Sequence, residues 1–90
     1  MEIDRLKEQL KTPYHKDKMQ YPRAIREYIL SEAGLTDEET DIFLMRSKGL
    51  TVLEISFEME TLYKSKYQQY GVEKVERKIR AIKNKIASIL

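Results

Sequence analysis

Between positions 74 and 85 the chain carries six cations and one amide: Lys74, Arg77, Lys78, Arg80, Lys83, Asn84 and Lys85. Side chains of these types suit one task, the recognition of a polyanion. A planar guanidinium can donate to both O6 and N7 of a guanine, which makes Arg77 and Arg80 the candidates for base contacts. Lysine ammonium groups act as point charges. Lys74, Lys78, Lys83 and Lys85 are therefore cast as phosphate neutralisers, adding affinity without sequence information. Just upstream, Lys64 and Lys66 interleave with Tyr63, Tyr67 and Tyr70. A tyrosine hydroxyl can bond a phosphate, and its ring can stack on an unpaired base. Tyrosines at i, i+4 and i+7 also make an ordinary packing stripe, so both uses stay open.

Other chemistries find no residues to carry them. There is no Cys, hence neither a disulfide framework nor a thiolate metal site. His15 is the single histidine and has no second ligand in its Lys- and Asp-rich surroundings. The three glycines occur singly, so no phosphate-cradling loop exists. The carboxylates of the middle region fall at helix starts, where capping accounts for them. No enzyme, metal or cofactor is expected.

The cations need an element to hold them. Val72, Val75, Ile79, Ile82, Ile86 and Ile89 recur at steps of three and four, the period of one buried helical face. The spacing predicts a helix from about Val72 to the C-terminus, with Glu73, Lys74, Arg77, Arg80, Lys83 and Asn84 outward and Lys78 and Lys85 beside the seam. Such a seam also fits a coiled-coil pair, although every position is β-branched instead of following a Leu-rich pattern. Packing within the monomer is expected, and any exposed part of the seam could serve a homodimer.

Upstream segments read as helices too. Ile3, Leu6 and Leu10 mark a short N-terminal one, and residues 12–21 a loop. Pro22 fits a first helical turn, followed by an apolar face of Ile25, Ile29, Leu30 and Ala33 and a stop at Gly34. Thr36 and Glu39 have the spacing of a capping box, with Thr40, Phe43, Leu44 and Ser47 expected inward and Gly49 as the stop. Thr51 and Glu54 repeat the box, ahead of a buried face of Val52, Ile55, Ser56, Met59 and Leu62. Beyond Met59 either this helix continues to Gln69 or an irregular excursion carries the tyrosines. The fold class is all-α, a small bundle of about five helices.

From Leu35 to Met59 the chain reads LTDEETDIFLMRSKGLTVLEISFEM. This resembles the helix-turn-helix of sigma-factor region four and LuxR-type regulators, and most of all small phage and prophage transcription regulators. The Leu-Thr start matches the supporting helix, and Ile55-Ser56 takes the Ile-Ala place of the first motif helix. Val75 and Ile79 match apolar positions of the reading helix. The resemblance covers roughly residues 35–59 and 72–86. It implies double-stranded DNA as partner, with RNA polymerase or another regulatory protein beside it, and makes residues 35–90 the DNA-binding region and 1–33 its support. One departure stands out: the stretch from Met59 to Val72 is about two helical turns longer than the family's turn.

Division of the charge agrees with a polyanionic partner. Residues 1–31 carry +2, residues 32–60 carry −6 and residues 61–90 carry +6, within a total of +2. Ninety residues suffice for one domain. The longest apolar run, Ile42 to Met45, is too short for a membrane span or a leader, so with Met1 the expectation is an intact, soluble, cytoplasmic protein. The function expected is sequence-specific DNA binding in transcription regulation. The competing expectation is a helical interaction or packaging-type adaptor that uses the basic helix for assembly.

Overall fold

A computed structural model describes residues 19–67 and 69–90, which form four α-helices and, among the described residues, no strand. The N-terminal stripe of Ile3, Leu6 and Leu10 and the loop histidine, His15, lie outside the described residues. Helix α1 spans Arg23–Glu32, α2 Asp37–Ser47, α3 Val52–Leu62 and α4 Val72–Ile89. No described helix is long and apolar enough to cross a membrane.

Local chemistry sets the boundaries. Pro22 occupies the N-cap of α1, one residue earlier than a first-turn position, and its carbonyl accepts from Arg26 N at 2.9 Å. Gly34, at φ +67°, turns the chain after α1 in a conformation that costs other residues a Cβ clash. Both capping boxes form. Thr36 Oγ1 accepts from Glu39 N while Glu39 Oε1 accepts from Thr36 N, and Thr51 and Glu54 repeat the pattern. Each cap is worth about 1 kcal/mol. Helix α2 closes in a Schellman turn, with Leu50 N donating to Met45 O and Gly49 N to Arg46 O, and Gly49 takes the left-handed position at φ +95°.

Helix α4 is the element against which α1, α2 and α3 all pack. Its seam residues Val75, Ile79, Ile82 and Ile86 meet Ile25 and Ile29 of α1, Ile42 and Phe43 of α2, and Ile55 and Met59 of α3 in one core, joined by Met19 and Tyr70. The seam is thus spent within the chain, and only Val72 and Ile89 at its ends are half-buried.

Three expected inward faces need correction. In α2 the buried residues are Glu38, Glu39, Ile42 and Phe43, whereas Thr40, Leu44 and Ser47 are half-buried. The buried arc is rotated by about a third of a turn from the expected one. It runs through two carboxylates because cations and phenols elsewhere in the chain reach them. Leu62, expected in the core, is 58% exposed, since α3 ends there and the chain turns away. Leu30 in α1 is likewise exposed.

The stretch after Met59 takes the irregular course. Tyr63 caps α3, and Lys66 N and Tyr67 N both donate to its carbonyl at 2.9 Å in a tight turn. Tertiary hydrogen bonds to Glu38 and Asp41 of α2 hold this excursion.

Candidate nucleic-acid interface

Glu38, in the first turn of α2, organises the approach to α4. Its side chain is almost closed from solvent, yet both oxygens are occupied: Oε1 accepts from Tyr70 OH at 3.0 Å, and Oε2 from Tyr67 OH and Lys66 Nζ, each at 3.1 Å. Burial pushes this carboxyl up, but the bonds from Lys66, Tyr70 and Tyr67 and the charge of Lys78 outweigh it and leave the group below its ordinary value. Tyr63 adds a parallel link, donating to Asp41 Oδ2 at 2.6 Å. That bond, with burial, lifts the Tyr63 hydroxyl well above the usual phenol range; burial first, then Glu38, does the same for Tyr70. Tyr70 N also donates to Glu60 Oε1 at 3.2 Å, tying the end of the excursion to α3. The excursion is therefore pinned to α2 and α3 immediately before α4 begins.

The basic residues of α4 divide into three groups. On the flank facing the start of α2, Lys85 Nζ lies 2.5 Å from Glu39 Oε1 and donates also to Gly34 O. Lys74 Nζ sits 3.1 Å from the centroid of the Tyr67 ring and 4.9 Å from that of Tyr70, a cation–π contact over an edge-to-face tyrosine pair. Lys78 is half-buried and directs its charge at Glu38. Along the crest, Arg77 and Asn84 are exposed. On the far flank, Arg80 and Lys83 are exposed and border a cavity that also touches Arg46. Neither Arg77 nor Arg80 makes a hydrogen bond or ion pair with a described residue.

Of the upstream candidates, Lys64 is exposed in the turn, Lys66 is held by Glu38, and Tyr67 is half-buried with its hydroxyl on Glu38. The tyrosines thus take their packing role, with Tyr70 only 1% exposed. A groove of about 460 Å³ runs along the near flank, lined by Glu39, Tyr67, Lys74, Arg77, Lys78 and Ala81. Its rim is basic, and its floor carries a carboxylate already paired with Lys85.

Sequence reasoning missed Glu38. Three consecutive acids open α2, and only Glu39 serves the capping box, so the surplus was a signal of other duties for Glu38. Its partners lie 28 to 32 residues away, a separation with no period to betray it. Comparisons with protein-family models, with curated proteins and with solved structures find no match to this chain.

Proposed function

We propose that the chain binds double-stranded DNA through the outer face of α4 and acts in transcription regulation. In this reading α2 is the supporting helix, α3 the first helix of the helix-turn-helix and α4 the reading helix. The observation that carries it is the pairing of a buried seam with an exposed crest. Val75, Ile79, Ile82 and Ile86 fix α4 to three other helices, while Arg77 and Arg80 project without a partner among the described residues. A rigidly seated helix with unspent guanidiniums meets the requirements of groove recognition. The long link before α4 is compatible with that role because Glu38 and Glu60 fasten it.

Titration against mixed-sequence duplex DNA over a salt series tests the reading. Expected is binding at low salt whose logarithm falls linearly with the logarithm of salt concentration. Absence of binding at low salt refutes it.

A second reading, an interaction or assembly protein, draws on α3. Leu53 and Phe57, one turn apart, are 56% and 60% exposed. Sedimentation in the absence of DNA distinguishes it: a stable oligomer that ignores DNA favours this second reading.

A further inference from the structure

The C-terminal end of α2 and the middle of α4 border a cavity of about 280 Å³, lined by Arg46, Glu76, Ile79, Arg80 and Lys83. Arg46 is the unusual member. Its Nη1 donates to Leu50 O at 2.8 Å, which clasps the turn after α2. A clasp uses only one part of the guanidinium. Nε is buried and has no acceptor among the described residues. The Nε–H and the neighbouring Nη–H of a guanidinium form a fork of two parallel donors, matched in spacing to two oxygens of one oxyanion. Across the cavity stands Arg80, exposed and without an ion pair to any described residue. Glu76 is the single acid of the lining and opposes, without cancelling, the two guanidiniums.

We propose that this cavity seats a phosphate group between Arg46 and Arg80, the Arg46 fork opening to it as the exposed Arg80 side chain moves. With DNA as partner, that group is a backbone phosphodiester, and Arg46 becomes an anchoring residue contributed by α2 to an interface otherwise built on α4. The seat rests on the DNA reading only for the source of its phosphate. Position and chemistry agree with such a division of labour: an Arg46 contact fixes the register of α4, and Arg77 on the crest is left to the bases.

Two arms test the seat. In the first, inorganic phosphate is titrated into the nitrogen-15-labelled protein while the arginine Nε–H signals are followed by NMR. Saturable shifts confined to Arg46 and Arg80 are expected. Equal shifts at every exposed arginine, or none, overturn the seat. In the second, duplex binding is measured over salt for Arg46→Gln and Glu76→Gln. Arg46→Gln should weaken binding about tenfold, equally for all sequences, and shallow the salt slope by about one. Glu76→Gln, which leaves the Leu50 clasp intact, should tighten binding about threefold. If duplex binds but both variants match the parent, the seat fails and the DNA reading survives. If phosphate shifts Arg46 and Arg80 while duplex does not bind, the seat stands for a free phosphate and the DNA reading falls.

Discussion

Lys85 and Arg80 come from the same basic run of α4, five residues apart, and meet different fates. Lys85 closes onto Glu39 at the start of α2, in company with Lys74 on its tyrosines and Lys78 beside Glu38. Arg80, on the opposite flank, faces a cavity and is bonded to no described carboxylate. A run of cations in a sequence is therefore a total from which the chain's own anions must first be subtracted. Here the acidic first turn of α2 consumes the near flank, while Arg77 on the crest and Arg80 on the far flank keep clear of every described carboxylate. The −6 and +6 segments are partly each other's counterions.

The largest expected effect strikes the near flank. Glu38→Ala removes the acceptor of a buried tyrosine hydroxyl, of Tyr67 and of Lys66 together, and should lower the unfolding free energy by about 3 kcal/mol in a denaturant titration. Glu38→Gln, which keeps the shape, should lose less. A loss below about 1 kcal/mol for the alanine variant would mean the excursion is not pinned as described.

Next in size are the crest and far flank. Arg77→Ala and Arg80→Ala should each cost about 1–3 kcal/mol of duplex affinity, leaving thermal unfolding within a degree or two of the parent. Equal losses from Lys85→Ala would erase the contrast between the flanks.

Acidity probes the same contrast. Glu38 and Glu39 have folded-state values below the unfolded one of about 4.3. For Glu39, too, burial pushes up, while the Lys85 ammonium and the Thr36 cap pull down further. Their contribution is complete above that unfolded value and disappears as pH falls through the folded ones. Tyr63 and Tyr70 behave oppositely, their folded values lying above the unfolded one of about 10, so their contribution is complete below pH 10 and is lost as pH rises further. Thermal melts from pH 3 to 11 should show a plateau with two falling arms, and Glu38→Gln should flatten the acid arm.

The smallest expected difference is in salt dependence. Arg80→Ala should shallow the log–log slope by about one, whereas Lys85→Ala should leave it nearly unchanged.

Much of this was legible in the sequence. The two Thr-to-Glu boxes and the Val72–Ile89 seam signal locally, through spacings of three and four, and all three formed where those spacings put them. The wheel of α4 also placed Arg77, Arg80 and Asn84 outward. The arc that α2 buries was not legible, because it depends on Lys66, Tyr70 and Lys85 arriving from far along the chain. Nor was the course of ETLYKSKYQQYG. Its helical spacing of tyrosines is genuine, but Asp41 and Glu38 offer their hydroxyls better acceptors than water, and the chain bends to reach them.

The tyrosine cluster has one more consequence. With no tryptophan in the chain, its six tyrosines are the only strong ultraviolet emitters. A phenol bonded to a carboxylate emits weakly, and Tyr63, Tyr67 and Tyr70 are all so bonded, each beside the base of α4. The protein thereby carries its own optical gauge. Any event that lifts the excursion from α2 should brighten it, with no label attached and with the silent, exposed crest left free to be the part that is touched.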